Sequence, residues 1–275
     1  MGYGEDNVTC PSIGLYFTAS TKVMQAESDQ NSWNCVAITL DPESDRYQSF
    51  LHNNDHLKIQ TFYGITGKSL STNEIISKGL ATQELLDSGL ATPGALGCAA
   101  SHRSVWQKAS KEGKGYFVLE DDSHTHPKVE EFIKANLSTL MASDICFFGI
   151  NTDSILHSIS PYGLTSLGVF YPEHPSPEWI RNALSKTNIQ EVSMHRLLKA
   201  FGFHAYFVSP AGASRLCDKI FPLSTRTTQI PLMTSDFVYA NGIDSAANGF
   251  YSQIQAFICN PFLAYASNVE STTRD

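Results

Sequence analysis

No stretch of the chain approaches the roughly 20 consecutive apolar residues that a membrane-spanning helix needs. Its first residues lack a basic segment followed by an apolar core, so no secretory signal is read there and a cytoplasmic setting is expected. Asn7-Val8-Thr9 and Asn136-Leu137-Ser138 fit the glycosylation pattern, which means little without such a signal. Positive charge is in deficit: 19 Lys and Arg stand against 27 Asp and Glu, for a net charge of -8. Unspecific binding to a phosphate backbone is therefore disfavoured, and no nucleic-acid partner is expected. Paired cysteines are missing too. Cys10, Cys35, Cys98, Cys146, Cys217 and Cys259 are scattered singly, mostly in apolar surroundings, as reduced core residues would be and metal-finger ligands would not.

What is present suits a globular chain. With 275 residues, 42% hydrophobic and 17% charged, it can bury one large core or two small ones. Residues 1–34 are mostly polar and suggest an arm or an added edge strand. A strand at 35–40, a helix carrying Tyr47, Phe50, Leu51 and Leu57, and a strand at 59–63 follow. After a helix at 93–112 come a strand at 116–119, a helix opening at Pro127 and a strand at 145–148. This βαβ rhythm predicts an α/β protein with a mostly parallel central sheet covered by helices. From 151 the pattern loosens among Pro161, Gly163, Gly168, Pro172, Pro175 and Pro177. Short helices are expected at 177–186 and 189–200, then a strand at 203–208 leading through Ser209 and Pro210 into another helix. Tyr162, Phe170, Tyr171 and Trp179 in this stretch are either core residues or platforms for a sugar face.

The segment Pro93–Asp122 carries the most chemistry. Thr92 is placed to cap a helix, Pro93 suits its first turn and Gly113 its left-handed end. Leu96, Ala99, Val105, Trp106 and Ala109 form its apolar positions, while Gly97, Ala100, Ser101 and Ser104 leave a small-residue face beside His102 and Arg103. Tyr116–Leu119 then reads as a strand buried on both faces, delivering Glu120, Asp121 and Asp122 without a spacer. Adjacent carboxylates repel by roughly 1 kcal/mol per pair at 4 Å in water and about 4 in a partly shielded site. A divalent cation would offset that, or the triplet is a solvated acidic turn. In open α/β sheets ligands sit beyond the carboxyl ends of strands, where these acids fall.

These residues resemble glycosyltransferase family 25, which includes lipopolysaccharide and collagen galactosyltransferases. The resemblance rests on Gly94–His102 (GALGCAASH), Trp106 and the strand ending Leu119-Glu120-Asp121-Asp122. Cys35–Leu40 with Asp41, Asp45 and Arg46, and Phe62–Leu70, are similar to the family's earlier elements. His204–Leu216, Leu232–Phe237 and Ser271-Thr272 are similar to its later ones, and 150–190 is unmatched. Ala95 stands where the family usually has Glu, and Thr39 where it usually has Asn.

The resemblance implies a Rossmann-like nucleotide-sugar transferase fold of the A type, with a nucleotide-sugar half at 35–150 and an acceptor half at 151–275. It further implies a UDP-sugar donor, galactose in particular, a glycan or glycolipid acceptor, and Mn²⁺ or Mg²⁺ as cofactor in an inverting transfer. Asp122 would ligate the metal, with Glu120 a second ligand or a ribose contact; alternation along the strand turns Asp121 the other way. Thr39, Arg46, Ser101, His102, Glu120 and Asp121 would contact the donor, with a surface ion pair to Glu43 or Asp45 the other reading of Arg46. Asp236 would be the general base or a helix cap, with Asp244 and Asp153 as alternatives, and His204 could lend the metal an imidazole. The competing reading is a catalytically silent sugar- or nucleotide-binding relative.

Overall fold

The computed structural model describes residues 32–170, 175–231 and 237–267. Most of the expected N-terminal arm, Tyr171, Asp236 and the Ser271-Thr272 element lie outside the described residues.

One nine-stranded sheet organises these residues, in the order β2-β1-β3-β9-β5-β12-β8-β6-β7. Its strands are β1 (Trp33–Thr39), β2 (Ile59–Tyr63), β3 (Gly115–Glu120), β5 (Ile145–Phe147), β6 (Ile155–Ile159), β7 (Thr165–Val169), β8 (Ser193–Ala200), β9 (Ala205–Val208) and β12 (Ala256–Asn260). Two ribbons flank it, β4 (Ser123–Thr125) with β13 (Ala264–Ala266), and β10 (Thr227–Gln229) with β11 (Phe237–Tyr239). The helices are α1 (Asp45–Asn53), α2 (Thr72–Ser77), α3 (Gln83–Ser88), α4 (Pro93–Glu112), α5 (Val129–Ala135), α6 (Leu137–Ala142), α7 (Pro177–Lys186), α8 (Pro210–Ile220) and α9 (Ile243–Ala247).

The sheet is mixed where a mostly parallel one was expected. Parallel pairing joins β2, β1 and β3, and again β5 and β12. Between these blocks β9 runs antiparallel to both β3 and β5, and the far edge β12-β8-β6-β7 is antiparallel throughout. Strands from the second half of the chain thus lie inside the sheet begun by the first. Residues 193–200, expected as helix, form β8 instead. Helix propensity is a weak preference, and pairing with β12 on one side and β6 on the other overrides it. The loosened stretch after 151 contains the β6–β7 hairpin, turned at Gly163 with φ 81°. The helix expected from Pro127 breaks at Asn136 into α5 and α6.

Alternation along the central strands builds two cores. Val36, Ile38, Tyr116, Val118 and Phe147 face one side, under α4 and α8. Cys35, Ala37, Phe117, Leu119 and Cys146 face the other, against residues of α1, α5 and α6. Cys35, Cys98, Cys146, Cys217 and Cys259 are free thiols. The helix α4 starts and stops where its punctuation indicates: the Thr92 hydroxyl accepts from the Ala95 N–H, and Gly113 closes it at φ 66°. Such a cap is worth about 1 kcal/mol. Gly97 lets the 65–67 loop lie on this helix, since a Cβ there would sit 2.5 Å from the Ile65 oxygen and 2.6 Å from the Gly67 nitrogen.

Candidate active site

The carboxyl ends of β1 and β3, the 65–68 loop, the first turns of α4 and the segment 241–245 enclose a cavity of about 930 Å³. This is the location that parallel α/β packing favours for a ligand, because loops diverge there. Thr39, Arg46, Ser101, His102, Glu120, Asp121 and Asp122 all line it, so every described candidate from the sequence is brought to one place. The general-base candidate Asp236 lies outside the described residues.

The three acids point in different directions, as alternation along β3 requires. Glu120 turns towards α4, where its Oε1 lies 2.9 Å from His102 Nε2. Behind it, His102 Nδ1 is 2.9 Å from the Tyr206 hydroxyl, which in turn accepts from Trp106 Nε1 at 2.9 Å. Trp106 can only donate, so the Tyr206 proton goes to His102 Nδ1 and the His102 Nε2–H goes to Glu120. Every donor in the relay is then used. Burial opposes the Glu120 charge, but the His102 hydrogen bond, helped by Arg46, outweighs it and holds this carboxyl below its usual range.

Asp121 turns across to β1. Its Oδ1 meets Arg46 Nη2 at 2.6 Å and its Oδ2 accepts from the Thr39 hydroxyl at 2.7 Å. Arg46 therefore serves the acid turn, in place of a surface pair with Glu43 or Asp45. Asp122 is the least satisfied of the three. Arg46 Nη2 is 3.5 Å from its Oδ2, while Oδ1 is buried with no hydrogen-bond partner. Burial, then the Glu120 charge, push its carboxyl up to about 7. The Ser101 hydroxyl binds its own helix at Gly97 O (2.7 Å) and accepts from Ile65 N (2.7 Å), so it fixes the loop that forms one wall.

His204 is buried and does not line the cavity. Burial pulls its imidazole down to about 4, and its carbonyl accepts from Glu120 N and the Ser123 hydroxyl, holding the acid turn from behind. Asp244 lines the cavity opposite the acid motif, its carboxyl raised by burial. Cys98, Lys68, Asn151 and Asn241 also line it and were not singled out from the sequence. Cys98 sits one turn before His102, a signal that was readable; the other three come from loops with no distinguishing pattern.

The residues fit a divalent cation. A buried carboxylate oxygen without a partner, on a group whose charge burial disfavours, is stabilised by a positive ion, and oxygen donors suit Mg²⁺ or Mn²⁺. Among the described residues Cys98, His102 and Glu120 also place ligand atoms within 4.8 Å of one another. Both nitrogens of His102 are already engaged and burial keeps the Cys98 thiol protonated, so that trio is the poorer holder.

The profile of glycosyltransferase family 25 (LPS biosynthesis protein) matches residues 35–237, a span that contains the whole acid turn and its relay. R655 of Acanthamoeba polyphaga mimivirus, which carries a glycosyltransferase name, is 33% identical over 84 residues, covering 29% of this chain and 26% of that protein. The chain thus spans about a quarter of that relative. A solved structure, A197 from STIV, overlaps 82% of this chain and 81% of its own at 8% identity and a TM-score of 0.33, too slight to carry an argument. On the family match, extending over most of the sequence, the chain belongs to glycosyltransferase family 25.

Proposed function

We propose that the large cavity binds a UDP-sugar and that the protein transfers the sugar, galactose, to a hydroxyl of a glycan or glycolipid acceptor, with inversion and with Mn²⁺ or Mg²⁺ as cofactor. The observation that carries this is Asp122 Oδ1, buried and unpartnered at the cavity wall where β3 ends. The reading implies the A-type nucleotide-sugar fold, with the parallel β2-β1-β3 block as its donor-binding half. The family's description as an LPS biosynthesis protein favours a glycolipid acceptor. A cytoplasmic setting belongs to the same reading; among the described residues no helix is long and apolar enough to cross a membrane.

Asp122 and Glu120 would hold the metal, which when bound supplies Lewis-acid stabilisation of the charge gathering on the leaving diphosphate. His102 keeps Glu120 ionised and aimed. Arg46 and Thr39 hold Asp121 aside, so that it does not add its charge to the same spot. Loop 65–68, pinned by Ser101, covers the donor from above α4 and restricts water. Asp236 takes the proton of the acceptor hydroxyl as the new bond forms.

Ala95 favours a second reading, a binding module without turnover, because it lines the cavity where the family usually carries Glu. Calorimetry with UDP, with and without Mn²⁺, followed by a donor-hydrolysis assay, separates the two. Metal-dependent binding with slow hydrolysis supports transfer. Binding without turnover on a broad acceptor panel supports the module, and no UDP binding in either condition rejects both.

A further inference from the structure

A second, smaller pocket of about 300 Å³ lies next to the donor cavity along the chain: Asn151 lines the cavity and the following residue, Thr152, lines the pocket. Its wall is a run of rings. Phe170 meets Phe262 at 5.6 Å between centroids, Phe262 meets Tyr265 at 5.7 Å, and Tyr265 meets Trp179 edge to face at 5.3 Å and 88°. Trp179 keeps 43% of its surface exposed although it begins a helix that is firmly capped by Ser176. A large ring held in place with an open face is a binding platform.

The polar groups of the pocket narrow the ligand. Thr152 is only 7% exposed and its hydroxyl has no hydrogen-bond partner, a deficit that ordinarily costs about 1–3 kcal/mol. Asn260 adds an amide at the rim. Among the described residues no Asp, Glu, Lys, Arg or His lines the pocket, so nothing there answers a phosphate, a carboxylate or an amine. A neutral ligand with one apolar face and hydroxyls on its edge fits this combination, and the volume is at the lower end of the small-ligand range of about 300–1,000 Å³. We propose that the Thr152–Trp179–Tyr265 pocket is a subsite for an uncharged hexopyranose unit of the acceptor. It rests on the transferase reading for its place in the reaction, since it would hold the acceptor beside the donor cavity; its binding of sugar does not depend on that reading.

The test is a titration of intrinsic tryptophan fluorescence with methyl β-D-galactopyranoside and methyl β-D-glucopyranoside, with 1-octanol as the apolar probe. Trp179 is the exposed reporter, while Trp106 is fully buried. At least one glycoside should saturate the signal with a Kd of the order of 1–10 mM. Trp179→Ala should abolish that response. Thr152→Val, which keeps the side-chain shape, should weaken binding tenfold or more as read by calorimetry, and both variants should keep wild-type UDP affinity. The proposal is overturned if neither glycoside binds, if binding survives Thr152→Val unchanged, or if 1-octanol alone saturates the site. Sugar binding in a protein that fails to bind UDP would leave the pocket standing and remove the transferase reading instead.

Discussion

Replacing Asp122 with Asn separates the structural cost of this side chain from its use. Its carboxyl rises from the ordinary 3.8 to about 7 on folding, because burial and the Glu120 charge disfavour the anion. Between those two pH values the folded state therefore binds more protons than the unfolded one, and its stability falls as pH rises through the window. At 1.36 kcal/mol per pKa unit the full loss is about 4 kcal/mol, fully developed above the upper value. An amide of the same shape carries no charge to desolvate. In EDTA, Asp122→Asn should thus be more stable than wild type at pH 8, by up to about 4 kcal/mol, and the advantage should shrink towards zero as pH falls to 4. Urea unfolding at pH 4, 6 and 8 measures the difference directly. Added Mn²⁺ and UDP should reverse the ranking, since ligand binding to the folded state stabilises only the protein that can bind. A variant no more stable than wild type at pH 8 in EDTA would refute the assignment of Asp122 as a strained, cation-seeking carboxylate.

Arg46→Met removes the cation that lies 2.6 Å from Asp121 and 3.5 Å from Asp122. With Arg46 partly exposed, unfolding free energy should fall by about 1–3 kcal/mol, and metal-dependent UDP binding, followed by calorimetry across pH, should need a higher pH; unchanged stability and pH dependence would remove Arg46 from the acid turn. Gly97→Ala places a Cβ 2.5 Å from the Ile65 oxygen, so the loop must shift. Denaturant titration should show a loss of about 1–3 kcal/mol with weaker UDP binding, and a neutral result would contradict the close helix–loop approach. Asp236→Asn should leave UDP affinity nearly unaltered while lowering turnover by about 10² to 10⁴; near-normal turnover returns this residue to a capping role.

The parts of the fold that were legible in the sequence are those decided locally. Thr92, Pro93 and Gly113 mark both ends of α4 because capping needs only neighbours in sequence. Tyr116–Leu119 was readable as a strand buried on both sides because no polar residue interrupts it. Pairing direction was not, since an apolar run looks the same in either orientation and β9 reaches its place between β3 and β5 across long sequence separations. The Leu197 and Ala200 spacing in β8 suits a helix turn as well as a strand, and only the partners β12 and β6 decide it. The candidate site was readable where strand ends supply it, at Thr39 and Glu120–Asp122. Lys68, Asn151 and Asn241 reach the cavity from loops, whose course depends on the finished packing. That Arg46 would choose Asp121 over its sequence neighbours was likewise a tertiary outcome.

The central claim is that the acid turn after β3 grips a divalent cation against a nucleoside diphosphate. Diffraction from crystals grown with Mn²⁺ and UDP, with anomalous data to locate manganese, tests it most directly. The account predicts an anomalous peak at about 2.0–2.2 Å from an Asp122 carboxylate oxygen, bridging to the diphosphate within the large cavity. UDP bound elsewhere, or seated in the cavity with no metal near Asp122, would contradict it.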